Sequence, residues 1–123
     1  MNKYTELSDF EINKAVFHKA KIKHKYFRFL PNGVITYNIK GKYQVFDPCN
    51  NPTDAMPIII ENGISIMFDT GCKAWVAGIA YWVDGCEWQV SPEIGRTNPL
   101  RAAMELFLLM KDEENEKIRP NLL

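Results

Sequence analysis

Between Asn98 and Met110, apolar residues recur on a 3.6-residue period at Leu100, Ala103, Met104, Phe107 and Leu108. Ala102, Leu106, Leu109 and Met110 fill most of the remaining circumference, so that Arg101 and Glu105 form one thin charged stripe. This pattern predicts a long helix buried on several sides. Asn98 is its N-cap, and Pro99 at the first helical position lacks an N–H that would have no partner there. The helix offers more apolar surface than one sheet face covers, so part of it, with Leu106 or Met110, is expected to meet another helix or a second copy of the chain. An earlier helix is marked by the capping box formed by Ser8 and Glu11, with Leu7 and Ile12 at the two staple positions. Ile12, Ala15, Val16 and Lys19 then share one face as far as about Ala20.

The period then changes to that of antiparallel strands. Pro31 suits the second position of a type I turn and Gly33 the left-handed position after it, which pairs Leu30 with Val34 and Phe27 with Tyr37. Lys40-Gly41 leads into a further strand, Lys42 to Phe46. Later, Asp84-Gly85 reads as a two-residue turn that sets Tyr81 opposite Trp88 and Trp82 opposite Glu87. Trp75, Ala77, Ile79, Tyr81 and Val83 alternate onto one face, which is expected to receive the final helix. The pattern predicts an α+β chain forming a single domain over residues 1–123, with a polar tail after about 111. Its parts are an N-terminal helix, an antiparallel sheet of about five or six strands, a short central helix, and a long C-terminal helix packed on the sheet.

Between the strand groups runs DPCNNPTDAMPIIIENG, from Asp47 to Gly63. Pro57 is expected to begin a short helical turn ending at Asn62, with Gly63 as its left-handed C-cap. Asp54 reads as a turn or capping residue that accepts free N–H groups of the turn after it. Loops of this kind often carry function, and prolines lower the ordering cost of binding. Asp47, Asn50, Pro52, Thr53, Asp54 and Pro57 are therefore the candidate interaction surface, together with exposed tryptophans.

The order of three segments, the ELSDFEINKAV helix, the Pro-Thr-Asp turn running into PIIIENGISI, and the closing NPLRAAMELFLLM helix, resembles the bacteriophage NinX-like family of small phage and prophage proteins. The likeness spans nearly the whole chain and is weakest across Lys21 to Lys42. Where other members carry an aromatic after Thr-Asp, Ala55-Met56 stands here. The resemblance implies a phage or prophage accessory protein in the bacterial cytoplasm, and no mechanism.

Composition narrows the remaining chemistry. A chain of 123 residues with 24% charged and 46% hydrophobic residues matches an average soluble domain. No apolar run approaches the ~20 residues that cross a bilayer, and MNKYTELSDFE has no signal-peptide core, so a cytoplasmic location without membrane contact is expected. Cys49, Cys72 and Cys86 fit reduced thiols. With His18 and His24 they reach the ligand number of a zinc site, but none of their spacings is that of a zinc motif. Cys49 beside Asp47 has no histidine assigned to it as a base. A small metal-dependent enzyme would need Asp47, Asp54, Glu61 and Asp69 to gather, and no motif sets their spacing. Phosphate-loop, dinucleotide and nucleophile-elbow signatures are missing. No catalytic residue, metal or cofactor is assigned.

The zero net charge conceals an asymmetry. Up to Lys42 there are nine basic and three acidic residues; from Tyr43 onward there are six and twelve. Lys19, Lys21, Lys23, Lys25 and Arg28, interleaved with Tyr26, Phe27 and Phe29, are the candidate nucleic-acid surface. The balanced total argues against that alternative and for docking of the basic segment on the chain's own acidic half. The expected function is a non-enzymatic module that binds a host or phage protein, with homodimerisation as a further possibility.

Overall fold

The computed structural model describes residues 2–21 and 27–118. Helix α1 runs Asp9–Lys19 behind the expected capping box, in which the Glu11 N–H donates to Ser8 Oγ at 3.2 Å and the Ser8 N–H donates to Glu11 Oε1 at 3.3 Å. Its inward face carries Ile12, Val16 and, unexpectedly for a polar residue, Asn13. Phe17 on its flank packs edge-on against Phe27 (centroids 4.3 Å apart) and Phe46 (5.9 Å). These rings join α1 to the first sheet, which consists of β1 (Arg28–Phe29), β2 (Ile35–Ile39) and β3 (Lys42–Phe46) in the order β1-β2-β3.

The local signals in this sheet act as expected. The Leu30 N–H donates to the Val34 carbonyl at 2.8 Å, Gly33 takes φ 88°, the register is Arg28↔Thr36 and Phe29↔Ile35, and the Phe27 and Tyr37 rings lie 5.5 Å apart between centroids. At the next turn Lys40 (φ 51°) and Gly41 (φ 85°) are both left-handed, as a two-residue type I′ turn requires, and Ile39 pairs with Lys42.

The second sheet contains β4 (Ser65–Asp69), β5 (Ala74–Val83) and β6 (Glu87–Arg96) in the order β4-β5-β6, so the six strands divide into two antiparallel sheets of three. Here the register differs by one residue from the expectation: Trp82 faces Trp88 and Val83 faces Glu87. Only Gly85 adopts a positive φ (73°) while Asp84 does not, so the type I′ turn cannot form. The Cys86 N–H instead donates to the Val83 carbonyl at 3.0 Å and Cys86 enters the loop. Further along, a register shift between Ala77 and Ile79 brings β6 very close to Gly78. Strand β4 spans only the first half of β5, leaving the distal half of the β5–β6 hairpin as a two-stranded ribbon.

Helix α2 spans Pro52–Glu61, starting earlier than the expected turn at Pro57. Asn51 caps it by accepting from the Thr53 N–H at 3.0 Å, and Pro52 occupies the first turn, where its missing N–H costs nothing. Pro57 lies inside the helix and forfeits one backbone bond. Burial of Ala55, Ile58 and Ile59 on the core side offsets that loss. Asn62 ends the helix and Gly63 (φ 63°) turns the chain into β4.

Helix α3, Pro99–Ile118, crosses α1, α2 and the inner face of the second sheet. Every residue from Ala102 to Leu108 is buried, as an all-round apolar helix requires. Leu106 is 0% exposed within one chain, and α1 and α2 pack on α3, so of the two expected covers for the surplus apolar surface it is the chain's own helices that serve here, not a second copy. The helix continues past Met110 through the polar residues, where Asp112 receives Lys3 at 3.2 Å and Lys19 at 3.8 Å as well as the Tyr4 hydroxyl. Of the basic segment expected to dock on the acidic half, Lys19 alone makes such a pair among the described residues. No helix among the described residues is long and apolar enough to cross a membrane.

Candidate functional site

The segment between β3 and α2 is held by its polar side chains from within. Asn13, buried on α1, donates to Asp47 Oδ1 at 2.8 Å and accepts from the Cys49 N–H at 3.1 Å. Asn98, the N-cap of α3, donates to the Cys49 carbonyl at 2.7 Å and to Asn50 Oδ1 at 3.1 Å, while its own Oδ1 accepts from the Leu100 N–H at 2.9 Å. Asn50 also donates to Asp47 and to Asp9 Oδ2 at 3.1 Å. One short loop thus receives the starts of two helices.

Asp54 is buried on the inner side of α2. Its carboxylate accepts the Tyr37 hydroxyl at 2.8 Å and the Asp47 N–H at 2.9 Å, tying α2 to the first sheet and to the loop rather than capping the turn that follows it. Burial, then the bond to Asp54, pushes the Tyr37 phenol up to about 12. Replacing Asp54 with Ala is expected to lower unfolding free energy by about 2 kcal/mol, since two bonds to a charged group are lost and the half-buried Asp47 N–H is orphaned. Tyr37→Phe is expected to cost about 1 kcal/mol, and a urea double-mutant cycle with Asp54→Ala should give non-additive losses.

Beneath the loop lies a second polar cluster. Glu105, 0% exposed, accepts from Arg101 Nε at 2.7 Å, Arg96 Nη2 at 2.7 Å, Arg96 Nε at 2.9 Å and Asn2 Nδ2 at 2.7 Å. Arg101 extends the cluster to Asp9 Oδ1 at 2.7 Å and to the carbonyls of Tyr4 and Leu7 at 3.0 and 2.8 Å. Burial alone would raise the Glu105 carboxyl; hydrogen bonds from Arg96 and Arg101 overcome it and hold the group below its ordinary value. Asp9 is likewise lowered against burial, by Arg101 and Asn50. The charged stripe of α3 is therefore an internal clamp on the N-terminal segment.

Outside this anchor, the same stretch presents an apolar ridge. Pro52, Thr53, Met56, Pro57, Ile60 and Glu61 line a shallow groove on the solvent side of α2, where Ile60 is 71% exposed. Of the six candidate interaction residues, Pro52, Thr53 and Pro57 belong to this ridge, while Asp47, Asn50 and Asp54 bond to the chain itself.

With this architecture in view, the chain matches over residues 3–111 the family described as Bacteriophage P22, NinX. It belongs to that family. No curated protein matches the chain. The matched span of this NinX-family chain contains the capping box of α1, the anchored loop, α2 and the buried part of α3.

The other candidate residues of this NinX-family protein are dispersed. Lys19 is paired with Asp112, Lys21 is exposed, and Arg28 lies over the Tyr43 ring at 5.3 Å; Lys23, Lys25, Tyr26 and His24 fall outside the described residues. Cys49 is buried while Cys72 and Cys86 are exposed. Burial pushes the Cys49 thiol up to about 12, so it stays protonated at neutral pH and is unfit as a nucleophile. Asp69 closes its own turn by accepting from the Gly71 and Cys72 N–H groups at 2.8 and 3.2 Å. Glu61 lines a cavity of about 460 Å³ between the helices, with His18, Lys19, Phe107 and Lys111. No group of three His, Cys, Asp or Glu suited to a metal ion occurs among the described residues.

Sequence reasoning missed Asn13, Met56 and Ile60. Asn13 is a polar residue beside Ile12 and Val16 on a buried stripe, a signal that it holds a partner. Met56 and Ile60 stand four apart on a helix whose opposite side is also apolar.

Proposed function

We propose that this NinX-family protein is a non-enzymatic accessory module that binds a host or phage protein through the outer ridge of α2. What carries the reading is the exposure of Pro52, Met56, Pro57 and Ile60 on a helix whose inner side is locked by Asp54, Ala55, Ile58 and Ile59. A partner offering an apolar surface gains the desolvation of these side chains, and the locked backbone has little conformational entropy left to lose. The anchored loop is scaffolding for this surface.

Ile60→Asp and Met56→Asp are tested beside Asp54→Ala by affinity capture from phage-infected cells, with mass spectrometry of the co-purified proteins. The two ridge variants are expected to retain thermal stability within about 0.5 kcal/mol and to lose the specific partner. Asp54→Ala is expected to lose stability and keep the partner wherever it remains folded. Undiminished capture by both ridge variants would remove α2 as the contact.

A further inference from the structure

The two hairpins of this chain carry opposite charges. Between Phe27 and Phe46 the only charged residues are Arg28, Lys40 and Lys42; between Ala74 and Gly95 they are Asp84, Glu87 and Glu93. None of these six forms an ion pair among the described residues. Each hairpin also exposes large apolar side chains on the face turned away from the core. In the first sheet, Tyr43 is 57% and Val45 51% exposed on the face opposite Phe46 and Tyr37. In the distal ribbon of the second, Trp82 and Trp88 oppose one another across the strands, with centroids 5.5 Å apart and exposures of 50% and 67%. Asp84 at the turn and Glu93 beyond the bulge are the carboxylates nearest the exposed Trp face, since Glu87 alternates to the other side and accepts from Gln89; Arg28 and Lys40 are the cations of the Tyr-Val face, with Lys42 on the opposite one.

We propose that two copies of this chain form a two-fold dimer in which each seats its Trp82–Trp88 ribbon on the Tyr43–Val45 face of the other. The two contacts are then identical by symmetry, so the assembly closes at two copies instead of growing into a filament. Aromatic and aliphatic burial supplies the attraction, while Asp84 and Glu93 against Arg28 and Lys40 fix the orientation, and the opposite charges of the two hairpins steer the encounter. Arg28 already lies over the Tyr43 ring, and a second aromatic from the other copy would extend that cation–aromatic stack. The contact uses neither Met56 nor Ile60, so it stands or falls apart from the α2 reading.

Sedimentation velocity on the full chain tests this, at low salt and at about 0.5 M salt, where screening reaches only a few ångströms. At low salt the expected mass is twice the 14.2 kDa of one chain, shifting toward monomer at high salt. Asp84→Lys with Glu93→Lys, and separately Arg28→Glu with Lys40→Glu, should each raise the dissociation constant at least tenfold. Mixing the two charge-reversed proteins should restore a dimer containing one of each, because both contacts are then complementary again. All these positions are exposed, and circular dichroism checks that the variants are folded. A monomer at low salt and high concentration, an open series of oligomers, or a dimer indifferent to both reversals would overturn the proposal.

Discussion

Replacing Glu105 with Gln is expected to lower the unfolding free energy by about 3–5 kcal/mol, because it removes the buried charge that the Arg96 and Arg101 guanidinium groups share. The side-chain volume is nearly kept, so the loss is electrostatic. Two carboxylate oxygens now accept from Arg101, Arg96 and Asn2. In the amide, one of those atoms becomes an NH2 group aimed at N–H donors. Arg101 would retain Asp9 and the carbonyls of Tyr4 and Leu7, so the N-terminal segment should loosen before the sheets do. Urea unfolding gives the size of the effect, and hydrogen exchange its location. A loss below about 1 kcal/mol would mean that the cluster is ordinary surface electrostatics.

The same groups set the acid limb of stability. Glu105, Asp9 and Asp112 are each held below their ordinary carboxylate values despite burial, by Arg96 and Arg101, by Arg101 and Asn50, and by Tyr4 and Lys3 respectively. A lowered native value means that the unfolded chain takes up protons first on acidification. Their contribution is therefore fully present above the ordinary carboxylate range of about 4 and is lost as pH falls through the native values. Glu105→Gln should flatten that acid limb.

The second large effect is expected at Gly78. A Cβ there would stand 2.6 Å from the Pro92 carbonyl oxygen, 2.7 Å from Val90 Cβ and 3.1 Å from the Ser91 nitrogen. The first and last of these are backbone, which cannot rotate aside. Gly78→Ala should therefore separate β5 from β6 at the bulge and cost about 3 kcal/mol, lowering Tm by roughly 10 °C. Gly95→Ala is the control, since a Cβ there meets nothing within 4 Å and its cost should be small. Equal losses at the two glycines would show that packing across the bulge is not what demands Gly78.

Local signals made much of the fold legible. Ser8 with Glu11 and Pro31 with Gly33 act over a few residues and give the expected cap and turn, and Lys40-Gly41 leads into the expected strand Lys42–Phe46. The hairpin at Asp84-Gly85 departs by one residue from its expected register because the two-residue turn needs a left-handed backbone at Asp84, which Asp84 does not adopt. That single residue decides whether Trp88 faces Tyr81 or Trp82. The start of α2 was available in Asn51-Pro52, the same signal as Asn98-Pro99, but Pro57 argued for a break that core burial of Ala55, Ile58 and Ile59 overrides. The anchor beneath the candidate site was not legible at all. Arg101 and Asp9 stand 92 positions apart, and Asn98 and Cys49 stand 49 apart, so no local pattern pairs them. Asp54 reads from the sequence both as a cap of the turn after it and as a candidate contact; its carboxylate instead bonds Tyr37 and Asp47, which precede α2.

Site-specific photocrosslinking in phage-infected cells tests most directly the claim that the anchored loop serves to present α2. A photoreactive side chain is placed at Ile60 on the ridge and, for comparison, at exposed Lys14 on α1. The account predicts a discrete adduct to one host or phage protein from position 60 and none from position 14, with the position 60 adduct lost on adding Met56→Asp. No adduct at position 60, or the same adducts from both positions, would contradict it.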